Sequence, residues 1–388
     1  MHTRVLDDAP LDVLLYCHDG CGYGHASRTV AIALGLRRIA PDARVLLVTG
    51  SSAVSELTAG AELDWVKLPS YRSATRDGNT VGLRGFSGFE PPQLAQLRAA
   101  LLEDLVRVMR PRVLFVDHMP AGKKNELLPA LEEMRRQGGQ CVLGLRAIVG
   151  DNDAFWSDAA VEVVRRHYAT CLWFGEERVH GMTELDRIRR SYACVHVPIG
   201  FVSRARELDR RGLIPQSNAY GTVAFSWCDG ETAAIADSVA SAVAATVAPA
   251  PWSAYIGPAR GGAERSAIAA RFAEVPAFRV EEFHRSYLAA VRASRVAVTY
   301  AGYNTMTDLL WARTPAVVIT RATVDSEQQL HASCLARVFR SAAVFLHEDV
   351  NAGTVRRALE RHLAEEPSFP EIDLDGSTRA AEVLRAMS

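Results

Sequence analysis

No apolar stretch in this chain approaches the ~20 residues needed to cross a bilayer, and its first residues lack the basic, apolar and small-residue order of a secretory leader. Both absences predict a cytoplasmic protein with no transmembrane segment. Neither sign of charge is in excess: 44 Lys and Arg stand against 45 Asp and Glu, a formal net charge of -1. No overall basic field therefore draws the chain to nucleic acid or anionic lipid. The arginine pairs at 135–136, 165–166 and 210–211 lie in helical patterns and read as solvated faces. Cysteine is sparse; the seven present are scattered and mostly inside apolar runs, as reduced thiols are. Cys17 and Cys21, a close pair, have no second pair or clustered histidines beside them, which gives no support to a zinc site. Short internal repeats are also missing, which excludes solenoids.

What is present is the composition of an ordinary globular protein, 48% apolar and 23% charged over 388 residues, enough for two cores at roughly 150 residues per domain. Strand-length apolar runs alternate with helical patterns, as in a parallel sheet covered on both faces. In the first half, strands are predicted at Val13 to Cys17, Arg44 to Thr49, Arg112 to Asp117, Cys141 to Leu145 and Thr170 to Phe174. Helices fall between them at Ala26 to Ile39, Pro92 to Met109 and Asn125 to Gln137. The segment from Ser70 to Pro92, with four glycines and several arginines, reads as a long loop. A second series follows a polar, turn-rich stretch. Its strands are Thr222 to Ser226, Ser253 to Gly257, Phe278 to Glu281, Val296 to Tyr300 and Ala316 to Thr320; its helices include Glu231 to Thr246 and Ala263 to Phe272. The expected organisation is α/β throughout: a doubly wound N-terminal domain over 1–205, a linker over 206–218, a doubly wound C-terminal domain over 219–370, and a last helix within 371–388 that packs back on the first domain.

Two turns carry candidate chemistry. The first strand ends in Cys17-His18-Asp19-Gly20-Cys21-Gly22-Tyr23-Gly24-His25-Ala26-Ser27-Arg28 and passes directly into a helix. Gly22 and Gly24 permit tight turns, and amides opening the helix suit an anion or polar ligand. The dinucleotide pattern G-x-G-x-x-G is half met, and no acidic residue closes the second strand, which weakens a nicotinamide reading. His25 faces the carboxyl edge of the sheet, either as a base for an acceptor hydroxyl or as a histidine that orders the glycine loop. Asp117 and His118 end another strand at that edge, where a carboxylate and an imidazole could share a proton, although neighbours on a strand point to opposite sides. Arg146 follows the next strand, Cys141 to Leu145.

In the second half, Thr299-Tyr300-Ala301-Gly302-Tyr303-Asn304-Thr305-Met306-Thr307-Asp308 runs from strand to glycine turn to helix. The helix start can hold a diphosphate, with Asn304 and Thr305 as further donors, and Asp308, one turn on, can accept both hydroxyls of a ribose. After the next strand, Glu327-Gln328 offers an acceptor and a donor to sugar hydroxyls. Phe283 follows the strand ending near Glu281, as a base platform or a core aromatic.

These features resemble glycosyltransferases of the GT-B fold, especially the group that adds N-acetylglucosamine to the lipid-linked peptidoglycan precursor. The matching residues are Gly24-His25, Gly302 to Thr305, and Asp308. Glu327-Gln328 with His331-Ala332 is similar to the Asp-Gln and Asn-Ala pattern that holds donor hydroxyls, with His331 replacing asparagine. Val66 to Pro69, Asn125 to Leu131, Gly144 to Arg146 and Ile199 to Val202 are similar to a set of bacterial predicted glycosyltransferases. The resemblance implies two Rossmann-like domains facing a central cleft. It departs at Phe225 to Glu231, where a glycine-rich turn is usual and only Gly230 remains, and at Ala147, where relatives tend to carry aspartate.

The expected activity is inverting, metal-independent transfer from a nucleoside diphosphate sugar, such as a UDP-sugar, to a hydroxyl or amine of a small-molecule or lipid-linked acceptor, including decoration of secondary metabolites. His25 would be catalytic. Gly302, Tyr303, Asn304, Thr305, Asp308, Glu327, Gln328 and Phe283 would bind the donor, and Gly22, Gly24, Asp117, His118 and Arg146 would line the acceptor side. No cofactor or metal is expected; Asp151-x-Asp153 has metal-binding spacing but lies away from the donor segment. The alternatives are a nucleotide-sugar hydrolase or epimerase on the same fold, and a non-catalytic sugar-nucleotide-binding protein.

Overall fold

The computed structural model describes residues 10–18, 23–76, 79–228, 230–246, 251–257, 262–282, 286–321 and 327–388. The chain divides into two compact units, one of residues 1–207 and 373–388, the other of residues 208–372. No helix among the described residues is long and apolar enough to cross a membrane.

The first unit contains β1 (Val13–Cys17), β2 (Val45–Thr49), β3 (Trp65–Lys67), β4 (Arg72–Arg76), β5 (Asn79–Leu83), β6 (Val113–Asp117), β7 (Gln140–Arg146), β8 (Tyr168–Phe174) and β9 (Val195–Pro198). Seven of these form one sheet in the order β3-β2-β1-β6-β7-β8-β9, with every described pairing parallel. The central strands are buried along their whole length, which is why they read as continuous apolar runs instead of alternating ones. The sequence direction reverses between β1 and β6, so the connections leave to opposite sides there. The carboxyl ends of that strand pair open a crevice that doubly wound sheets use for ligands. Strands β4 and β5 form an antiparallel hairpin, within the stretch whose polar, glycine-rich sequence reads as a loop.

The helix Gly376–Met387 packs on the helix Gly24–Ile39. A Cβ at Gly35 would meet the Ser377 carbonyl oxygen at 2.8 Å, so only glycine lets the two backbones approach so closely. Glu207, fully buried, receives both Nε and Nη2 of Arg38 at 3.0 Å and the Ser377 hydroxyl at 2.8 Å. The end of the chain is thereby fixed to the first unit.

The second unit repeats the plan with β10 (Gly221–Phe225), β11 (Trp252–Ile256), β12 (Phe278–Glu282), β13 (Val296–Tyr300), β14 (Ala316–Thr320) and β15 (Ala342–Leu346), in the order β12-β11-β10-β13-β14-β15. Its crevice lies between the ends of β10 and β13. Its core gathers Phe225, Trp252, Phe272 and Phe278 with Val296 and Val298 of β13 and Val317 of β14. The stretch 206–218 is not irregular throughout, because Arg204–Arg210 is helical.

Candidate functional site

In the first unit, β1 and β6 pair with Cys17 opposite Asp117, so both strands end at the same level. The helix Gly24–Ile39 starts just beyond β1, with His25 in its first turn and Arg28 three residues on, hence on the same face. Both side chains reach Asp117, which is fully buried. His25 Nδ1 lies 2.6 Å from Asp117 Oδ2. Arg28 donates from Nε to Oδ1 at 3.2 Å and from Nη2 to Oδ2 at 2.9 Å. Burial alone would raise the Asp117 carboxyl, but the Arg28 guanidinium and the His25 ring outweigh it and hold the group down at about 2. It is a carboxylate at neutral pH. An ionised carboxylate can only accept, so Nδ1 of His25 carries a proton and donates it to Asp117. With that proton on Nδ1, Arg28 Nη2, 2.9 Å away, cannot donate to it and is directed to the carboxylate.

Two more imidazoles flank His25, with ring centroids 4.4 Å away for His18 and 5.5 Å for His118. His118 has a φ of 77°, a conformation that costs a non-glycine residue and persists where surroundings enforce it. That turn carries its ring to Arg146, which donates to Nε2 from Nη2 at 2.6 Å and from Nε at 3.2 Å. A guanidinium cannot accept, so Nε2 is unprotonated and the proton is on Nδ1. This Nδ1 is buried and, among the described residues, has no hydrogen-bond partner; the same holds for Nδ1 of His18. Burial lowers the pKa of both rings, with Arg146 adding to the effect at His118 and His25 at His18. Both are neutral at physiological pH. Buried donors of this kind normally meet an oxygen from ligand or solvent.

Asp117 and His118 therefore do not share a proton, contrary to the expectation that the two might act as a pair: Asp117 serves His25 and Arg28, and His118 serves Arg146. Behind the cluster, Arg98 donates to both oxygens of Glu126 at 2.6 and 2.5 Å and to the His18 carbonyl at 3.4 Å. Tyr16 donates to Glu126 at 2.5 Å. This buried network fixes the backbone from which His18 projects.

In the second unit, Gly302 is the N-cap of the helix Tyr303–Ala312, so the positive end of the helix dipole opens at the β10–β13 crevice. Asn304 and Thr305 are half-buried in its first turn and Asp308 is buried one turn on. Tyr303 is buried and stacks on His331, with centroids 5.5 Å apart and planes at 23°; the histidine that replaces the usual asparagine thus packs between two helices. Glu327 and Gln328, half-buried, open the helix Glu327–Val338, and Oε1 of Gln328 is buried with no hydrogen-bond partner among the described residues. Arg321, just past β14, lies 4.2 Å over the Trp227 ring, just past β10, so a cation stands at the same edge.

Gly22 and Phe283 lie outside the described residues. Gly24 is the first residue of its helix. Sequence reasoning passed over Arg28, His18 and Arg321 as site residues. For Arg28 a signal existed, its spacing of three from His25; for Arg321 there was only its place after a buried strand.

Residues 256–379 match the glycosyltransferase family 28 C-terminal domain, a span that includes Gly302 to Asp308 and Glu327-Gln328. No curated protein sequence matches the chain. Among solved structures, the chain is similar to MurG from Acinetobacter baumannii (14% identity, 96% of this chain and 95% of that one, TM-score 0.54). It is also similar to a putative UDP-N-acetylglucosamine 2-epimerase from Listeria monocytogenes (10%, 97% and 96%, TM-score 0.65) and a UDP-glucosyltransferase from Polygonum tinctorium (13%, 98% and 99%, TM-score 0.60). At these identities the likeness establishes the fold: two Rossmann-like units of the GT-B class.

Proposed function

We propose that this chain is an inverting glycosyltransferase that moves a sugar from a nucleoside diphosphate sugar to a hydroxyl or amine of a small-molecule or lipid-linked acceptor, without a metal. The family 28 match over the donor segment supports sugar-nucleotide chemistry. The observation that carries the transfer step is the 2.6 Å contact of His25 Nδ1 with the buried Asp117 carboxylate.

In this reading the acceptor O–H approaches Nε2 of His25. As the acceptor oxygen attacks the anomeric carbon, its proton passes to Nε2 and the ring becomes an imidazolium, stabilised by the Asp117 carboxylate at Nδ1. Arg28 keeps that carboxylate ionised and aimed. The leaving diphosphate gathers negative charge, which the N-terminus of the Tyr303–Ala312 helix offsets with its amides and dipole. Asp308 accepts from the ribose, Glu327 and Gln328 hold the sugar, and a cytoplasmic setting, where nucleotide sugars are made, suits the reading. Incubating the purified protein with UDP-, dTDP- and GDP-sugars and an acceptor panel, with products read by mass spectrometry, tests it. A glycosylated acceptor of inverted anomeric configuration supports the reading, and retained configuration sinks the single-displacement mechanism.

The similarity to a 2-epimerase, at the higher TM-score of 0.65, favours a second reading in which the same groups act on the donor alone. Sugar isomerisation or hydrolysis at full rate with no acceptor present would select it.

A further inference from the structure

Away from the His25 cluster, on the strands at the far side of the first unit's sheet, lie two thiols and an imidazole. Cys171 is in the middle of β8, opposite His196 on β9 in the parallel register, and Cys194 immediately precedes β9. The sulfurs of Cys171 and Cys194 are 3.0 Å apart, and Cys194 Sγ is 3.8 Å from His196 Nε2. Cys171 is buried, whereas Cys194, just ahead of the edge strand, is half-buried.

We propose that Cys194 and Cys171 are a dithiol modification site, in which a hydroperoxide oxidises Cys194 and Cys171 closes the product to a disulfide that ties β9 to β8. The Cys194 thiolate attacks one peroxide oxygen and the O–O bond breaks, giving a sulfenic acid and releasing hydroxide or alkoxide. The Cys171 sulfur, giving up its proton, then attacks the Cys194 sulfur and displaces the hydroxyl as water. Two thiols are oxidised by two electrons and one peroxide is reduced.

The division of roles follows from the surroundings. The hydrogen bond between the two sulfurs, helped by His196, brings the Cys194 thiol down to about 6, whereas the same bond and burial push Cys171 up. The accessible sulfur is the nucleophile and the buried one resolves it. A cation held by the three groups is the competing reading, since their ligand atoms lie within 4.8 Å of one another. Zinc–sulfur bonds of about 2.3 Å in tetrahedral geometry would hold the sulfurs roughly 3.8 Å apart, wider than they are, and so the observations favour the dithiol.

The test is peptide-level mass spectrometry of the full chain, reduced, freed of reductant, exposed to equimolar hydrogen peroxide and alkylated. The expected result is simultaneous loss of alkylation at Cys171 and Cys194 and a linked peptide pair that dithiothreitol restores, with Cys334, another half-buried thiol, still alkylated. Cys171→Ser should leave a sulfenic acid at Cys194 that dimedone traps, and Cys194→Ser should leave Cys171 unmodified. The proposal is overturned if both thiols stay alkylatable, if Cys194 oxidises without linking in the wild type, or if metal analysis finds zinc whose removal is required before peroxide acts.

Discussion

The two units share a strand order at their centres and place their candidate sites at the same topological point, yet they fill it differently. Where β1 and β6 diverge, the first unit assembles three imidazoles, a buried carboxylate and two guanidiniums. Where β10 and β13 diverge, the second offers a glycine-started helix, hydroxyl and amide side chains, and a single buried carboxylate one turn further on. In the proposed reading the first moves a proton, because neighbouring groups fix which ring atom carries the hydrogen. In the proposed reading the second holds the donor, because a helix dipole and neutral donors offset charge without changing state. On that reading one backbone solution serves two tasks, divided by which side chains stand at the strand ends.

That contrast can be broken by mutation. The largest effect is expected from His25→Ala, which should lower kcat by about 10²–10⁴-fold with donor affinity unchanged; steady-state kinetics with an acceptor found in the screen would show it, and a loss confined to KM would place His25 on the binding side. Asp117→Ala leaves the buried Arg28 guanidinium without its main partner and should cost about 3–5 kcal/mol in denaturant unfolding; a change under 1 kcal/mol would mean that the cluster contributes little to the fold. Asp308→Ala should weaken donor binding by about 1.5–3 kcal/mol, the worth of a hydrogen bond to a charged group, with the chemical step intact once the donor is saturating. Equal loss in kcat would erase the division between the units.

The smallest effect concerns acid. The Asp117 carboxyl sits at about 2 when folded against an ordinary 3.8. A depressed carboxyl stabilises the fold above its unfolded pKa and loses that contribution as protons bind. Its share of stability, about 2 kcal/mol, should be complete above pH 4 and vanish as the pH falls towards 2. Asp117→Asn should lack this component in a pH series of unfolding midpoints, and an unchanged acid limb would contradict the assignment.

Much of the fold was legible because central parallel strands are buried on both faces: β13 and β14 read directly as Val296 to Tyr300 and Ala316 to Thr320. Three of the four edge strands were not, the exception being β12, read at Phe278 to Glu281. Trp65–Lys67, Val195–Pro198 and Ala342–Leu346 are half-buried or exposed and lack a continuous apolar run. The β4–β5 hairpin is too polar and glycine-rich to show as strand. At the site, His25 was visible as a histidine where strand gives way to helix. Its bond to Asp117 was not, since 92 residues separate them and only the β1–β6 pairing brings them level. Adjacent residues on a strand face opposite ways, but Asp117 ends its strand and His118 turns at positive φ; no sequence rule marks that turn.

The most direct test of the division between a binding unit and a proton-moving unit is calorimetric titration of wild type, His25→Ala and Asp308→Ala with the nucleoside diphosphate sugar that most raises the melting temperature. Wild-type affinity in His25→Ala and an affinity loss of about tenfold or more in Asp308→Ala is the predicted result. Donor binding lost in His25→Ala and kept in Asp308→Ala would contradict the account.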